Sequence, residues 1–215
     1  MGGHHATPES VGHAILKLTY VTYPNNGVVG KLAAIVTLSP MIVFAALVGA
    51  FVATQNIEIL FLAKGLLLST LCNETFKRIV QQPRPEHSTI WGYGMPSDHS
   101  QFMAFFAAFS VCWIHYRDDL ALSTNTASRK QLNKLTKRFL TSVLILWSLA
   151  VVWSRLYLNA HTIPQVRVGA MLGTIAGTIW FRILQRLLPL VSRWQKILDE
   201  RIESWCYLPS PKKTQ

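Results

Sequence analysis

Apolar positions in this chain of 215 residues gather into long unbroken blocks. Between Lys31 and Glu58 stand 26 residues without a formal charge, LAAIVTLSPMIVFAALVGAFVATQNI. A helix needs roughly 20 apolar residues to cross the hydrocarbon core of a bilayer, so this block predicts a first membrane span. A second runs from about Ile57 to Ile79 and carries Lys64, Glu74 and Lys77. The third covers about Ser100 to Tyr116, the fourth about Phe139 to Ser154, and the fifth about Val166 to Leu188. Pro40 interrupts the first block, which a membrane helix absorbs as a kink. Val11 to Tyr20 reads as a segment lying along the interface, and the first 30 residues lack the pattern of a secretory signal. The fold expected is an all-α membrane protein, a bundle of about five transmembrane helices with an interfacial N-terminal segment. Its divisions are residues 1–30, the N-terminal segment; 31–190, the transmembrane domain; and 191–215, the C-terminal tail.

Composition supports the spans. Half the residues are apolar and 14% are charged, against about 25% in soluble domains. Lys plus Arg outnumber Asp plus Glu by 21 to 10, a formal charge of +11. A basic excess on so apolar a chain points to cationic loops at a membrane, with no nucleic-acid partner. Five spans leave five bases outside them on one side: Lys17, Lys31, Arg84, Arg155 and Arg167. The other side has thirteen, six from Arg117 to Arg138 and seven from Arg182 to Lys213. The positive-inside rule makes that second side cytosolic and the first lumenal or external. Lys212-Lys213 near the end resembles a dilysine retrieval signal of the endoplasmic reticulum, which must also face the cytosol.

The chemistry-bearing residues lie on the less basic side, all at span ends. They are Lys77-x6-Arg84-Pro85, then Pro96-Ser97-Asp98-His99, then Ser154-Arg155, and finally His161 with Gln165 one helical turn later. Three cations suit phosphate, which Arg clamps in a bidentate fashion. A helix start at Ser97 offers backbone N–H groups and a positive dipole end to an anion. Two histidines supply one nucleophile and one proton donor. Taken singly, Lys77 and Arg84 read as interfacial anchors, His99 as a helix-start residue and His161 as an interfacial polar group. Their combined order and spacing favour a site. A metal held by His87, His99 and His161 would lack a carboxylate cluster, so no metal or other cofactor is expected.

These three segments resemble the type-2 phosphatidic acid phosphatase superfamily, whose signature reads Lys-x6-Arg-Pro, Pro-Ser-Gly-His and Ser-Arg-x5-His-x3-Asp. The string from Tyr93 to Met103, and Gln165 in place of Asp, are similar to its dolichyl-diphosphatase branch. The resemblance spans roughly residues 20 to 190. It implies a metal-independent phosphatase in which His161 attacks the terminal phosphorus and His99 protonates the departing polyprenyl phosphate. Lys77, Arg84, Ser97, the Asp98 backbone N–H and Arg155 would hold the oxygens, and Gln165 would orient His161. The implied substrate is dolichyl diphosphate, and the implied setting is carrier recycling for N-glycosylation in the endoplasmic reticulum membrane. Another polyprenyl diphosphate or a lipid phosphate monoester is the alternative substrate, and a catalytically weakened lipid-phosphate binder is the alternative class. Asp98 stands where the superfamily has Gly, and Ala160 where the branch commonly has Tyr. A carboxylate beside phosphate is expected to reduce turnover.

Three further patterns carry expectations. Gly169, Gly173 and Gly177 form a stripe for close helix approach, within the bundle or across a homodimer. Arg182 and Arg186 fall at the cytosolic boundary, where they can bind anionic headgroups of membrane lipids. The stretch from Trp194 to Trp205 reads as an interfacial amphipathic helix.

Overall fold

The computed structural model describes residues 21, 28–86, 88, 90–123 and 134–206. The segment from Val11 to Tyr20, His87 and Lys212-Lys213 lie outside them. Six helices follow in order: α1 (Val28–Thr37), α2 (Ser39–Thr54), α3 (Ile57–Val80), α4 (Asp98–Ser123), α5 (Lys134–Tyr157) and α6 (Ile163–Cys206). The described residues contain no strand.

The first charge-free block forms α1 and α2, bent by 42° at the Leu38 junction. Pro40 sits in the first turn of α2, where its missing N–H costs nothing. Gln55 and Gln81 end α2 and α3 in the left-handed conformation, each returning its N–H to the last turn. Asn56 starts α3 by accepting the Glu58 N–H at 2.8 Å.

By length and composition α3, α5 and α6 can each cross a membrane, and the bent α1–α2 pair is long and apolar enough for a fourth crossing if the two helices form one broken span. The third expected span, α4, does not meet that standard. Its position explains why. It packs against α6 most extensively and also against α5, α3 and α2. Protein surrounds it, so it carries Ser100, Gln101, Ser110 and His115 without presenting them all to lipid. Phe102, Met103, Phe105 and Phe109 of α4 form the core with Leu66, Val151, Phe181 and Leu184. Large aliphatic side chains are exposed on the outer helices instead, including Ile35, Ile42, Leu71, Leu146, Ile175 and Ile179. This inverted pattern matches a hydrocarbon solvent.

The glycine stripe lies inside the bundle. A Cβ added to Gly169, Gly173 or Gly177 would collide with the backbone carbonyl of Ser97, Gln101 or Phe105 respectively. The three glycines therefore seat α6 directly on the α4 backbone and are buried. This corrects the alternative of a homodimer through Gly169, Gly173 and Gly177, because that face is already occupied within one chain.

The Trp194 region is not a separate interfacial helix. α6 continues through Pro189 to Cys206, 44 residues, or about 66 Å at the α-helical rise. It crosses the hydrocarbon core, roughly 30 Å thick, and projects beyond it. Gln195 ties the projection to the α2–α3 turn, accepting the Ile57 N–H at 2.9 Å and donating to the Gln55 carbonyl at 3.2 Å.

Candidate active site

The C-terminal ends of α3 and α5, the N-terminal ends of α4 and α6, and the two intervening loops meet at one end of the bundle. His161 stands in the short α5–α6 connection, 4% exposed. Its Nδ1 lies 2.9 Å from the Gly94 carbonyl and 3.3 Å from Oε1 of Gln165. Both partners are carbonyl oxygens, so Nδ1 carries the hydrogen and Nε2 keeps its lone pair. The amide orientation of Gln165 is fixed independently. Its Oε1 accepts the Thr162 N–H at 3.1 Å, and its Nε2 donates to the Pro83 carbonyl at 2.8 Å. Nε2 of His161 faces Nη1 of Arg84 at 3.1 Å. The basic nitrogen is thus aimed at the cation that would hold a phosphate.

Burial, and after it the charges of Arg84 and Arg155, push the His161 imidazole down from 6.5 to about 3. The bonds to Gln165 and Gly94 oppose the shift. Charging this ring is unfavourable, so near neutral pH it is uncharged. Burial also lowers the Arg84 guanidinium, against Glu74 and Asp98, which raise it. Arginine nevertheless stays charged in proteins.

The cations are fixed from different elements. Nη1 of Arg84 donates to the Ala160 carbonyl at 2.9 Å, and the Ala160 N–H donates to the Arg155 carbonyl at 3.0 Å. Ala160 is buried and joins the two arginines through its backbone. Nη1 of Arg155 donates to Oγ1 of Thr37 at 2.6 Å, which brings the end of α1 to the site. Among the described residues the buried Nε groups of Arg84 and Arg155 have no protein partner. Two buried guanidinium N–H groups without acceptors are costly unless an anion supplies the oxygen. Lys77 pairs with Glu74 at 2.6 Å, the i,i+3 contact open to it from the spacing.

Ser97 is fully buried and precedes α4. Its own N–H donates to the Gln165 carbonyl at 3.1 Å, and its Oγ accepts from the Ser100 hydroxyl at 3.1 Å. The expected amide donors therefore begin one residue later, at Asp98, in the first turn that lacks intrahelical acceptors. Asp98 lies within electrostatic reach of Lys77, Arg84 and Arg155. His99 is coupled in the same way to His161 and to all three cations. Every site residue picked from the sequence converges here. The sequence reading missed Gly94, Gln82, Pro83 and Thr37. The first three act through backbone or amide groups, and Thr37 belongs to a helix without motif. Gly94 alone left a signal, since a Cβ there would strike the Gln165 amide.

A model of the PAP2 superfamily matches residues 58–189, which include every site residue named above except Thr37. The dolichyldiphosphatase of Saccharomyces cerevisiae is 34% identical over 174 residues, 77% of this chain and 68% of the yeast one. Human dolichyldiphosphatase 1 is 33% identical over 185 residues, 82% of this chain and 76% of its own. Lipid phosphate phosphatase gamma of Arabidopsis thaliana is 35% identical over 199 residues, 85% of this chain and 82% of its own. No solved structure matches.

Proposed function

The chain belongs to the PAP2 superfamily, and on that footing we propose that it hydrolyses dolichyl diphosphate to dolichyl phosphate and inorganic phosphate. The observation that carries the chemistry is the Nδ1–H bond of His161 to Gly94, which leaves Nε2 as the unprotonated nitrogen, accepting from Nη1 of Arg84 until a phosphate takes that donor. Nε2 attacks the terminal phosphorus while the bond to the bridging oxygen breaks. His99 gives that oxygen its proton, and dolichyl phosphate departs. Lys77, Arg84, Arg155 and the first-turn amides of α4 hold the non-bridging oxygens, where charge is spread in the transition state. The imidazolium formed on His161 is steadied by the Gly94 carbonyl and the Gln165 amide oxygen. Water then attacks the phosphohistidine and gives a proton back to His99; the N–P bond breaks, and inorganic phosphate leaves His161.

The dolichyl substrate is supported by several similar proteins of yeast and animals that are dolichyldiphosphatases, while the plant lipid phosphate phosphatase gamma, equally similar, keeps a lipid phosphate as the second reading. In this reading the catalytic end faces the lumen of the endoplasmic reticulum and the C-terminus faces the cytosol. Residues 31–190 form the catalytic domain, and the recovered carrier serves N-glycosylation. The test is phosphate release from dolichyl diphosphate, dolichyl phosphate and phosphatidate, measured in EDTA. Dolichyl diphosphate is expected to be preferred, and His161→Ala to lower the rate by about a thousandfold or more. Equal rates on phosphatidate would overturn the substrate, and full activity in His161→Ala would overturn the mechanism.

A further inference from the structure

A cavity of about 630 Å³ lies in the half of the bundle away from the catalytic end. Leu47 of α2, Leu62 of α3, Phe109 and Ile114 of α4, Leu144 of α5 and Phe181 of α6 are among its walls. The volume is that of a small-molecule site, and the lining is mostly hydrocarbon. The bend between α1 and α2 explains the opening. α1 packs on α5, whereas α2 packs on α3 and α4 and meets α5 near the bend, where the Trp147 indole N–H donates to Oγ of Ser39 at 2.9 Å. Beyond that contact Leu47 of α2 and Leu144 of α5 line the cavity between them.

At its outer end the cavity shares Tyr116 and Gln185 with a recess lined by Arg182 and Arg186. These arginines are exposed and one helical turn apart on α6. Among the described residues Arg182 bonds only the neutral Gln185, at 3.3 Å, and neither arginine has an ion pair. Among them Glu58 is the one carboxylate lining the cavity, and it accepts the indole N–H of Trp113 at 2.9 Å. Arg182 lies about 25 Å along α6 from Gln165, so neither arginine belongs to the catalytic cluster.

We propose that this half of the bundle binds an anionic membrane lipid, with a hydrocarbon chain in the cavity and its headgroup phosphate on Arg182 and Arg186. An apolar chamber opening onto hydrocarbon selects a chain. The cationic pair at its mouth, near the membrane boundary, selects a negative headgroup over a zwitterionic one. The inference rests on the membrane embedding and not on the phosphatase reading.

The test uses the full chain in phosphatidylcholine nanodiscs containing a minor fraction of phosphatidylglycerol with a diazirine near its chain end. Phosphatidylglycerol is a diester and offers the catalytic site no terminal phosphate. Crosslinks are expected on the cavity walls, with about tenfold weaker labelling in Arg182→Gln/Arg186→Gln. Ser110→Phe, which fills the cavity, is expected to move the label to outer helix faces. Should that variant not fold, the exposed arginine pair decides alone. His161→Ala is expected to label like the parent, so loss of catalysis and loss of lipid binding remain separable. Equal labelling by a phosphatidylcholine probe, no change in the double variant, or displacement by inorganic phosphate alone would each overturn the proposal.

Discussion

The charge state of one ring links the site to pH. His161 is held near 3 by burial and by Arg84 and Arg155, well below its ordinary 6.5. An acidic limb in kcat/KM due to this group is therefore expected near pH 3, with no loss as pH falls from 7 to 5. In Arg84→Gln one of the depressing charges is gone, so the limb should move toward neutral; a profile identical to the parent's would reject the account. The linkage has a definite sign. Between pH 6.5 and 3 the unfolded chain binds a proton at this position that the folded chain refuses, so this contribution to stability is lost as pH falls through that window. Asp98 offers a second test. Its carboxylate is coupled electrostatically to Lys77, Arg84 and Arg155, where on the proposed mechanism it would compete with phosphate oxygens. Asp98→Ser is expected to raise kcat/KM severalfold, and no gain in steady-state turnover would remove Asp98 as a brake.

Helix contacts give the next prediction. Gly169→Ala must displace the carbonyl of Ser97, and Gly173→Ala that of Gln101. Each should lower thermal stability by about 1–3 kcal/mol, and Gly169→Ala should also reduce kcat because Ser97 precedes the catalytic turn. Gly49→Ala, where nothing lies within 4 Å, should instead add up to about 1 kcal/mol of helix propensity. Thermal melts of the three variants decide this. The same contacts show what was legible beforehand. The charge-free block, the glycine spacing and the Lys77, Arg84, His99 and His161 positions are side-chain patterns, and these the sequence displays directly. The acceptor for His161 is a main-chain carbonyl of Gly94, and the partner of Arg155 is Thr37, more than a hundred residues away. Neither belongs to a local pattern, so only the packed bundle reveals them. α4 was recognised as a span for its apolar stretch, but its place among the other helices explains the polar residues it carries. α6 was divided at the end of its apolar part, whereas backbone hydrogen bonding continues past Pro189.

At the scale of the molecule, among the described residues Lys134, Lys137 and Arg138 at the start of α5 and the bases of α6 from Arg182 to Arg201 lie away from the His161 end. Accessibility of single cysteines to an impermeant thiol reagent in sealed microsomes should follow that asymmetry. A cysteine placed at exposed Trp91 should be shielded, and one at exposed Lys196 should be labelled. The reverse pattern would invert the orientation. The dependence of the catalytic turn on α6 has a consequence for biosynthesis. Lys77, Arg84, His99 and Arg155 leave the ribosome before His161, Gln165 and the glycines that receive α4. On the proposed mechanism, a nascent chain that stops at α5 has the cations and the proton donor but lacks the nucleophile and the α6 face on which α4 packs most extensively. On that mechanism, catalytic competence arrives only once α6 has been made.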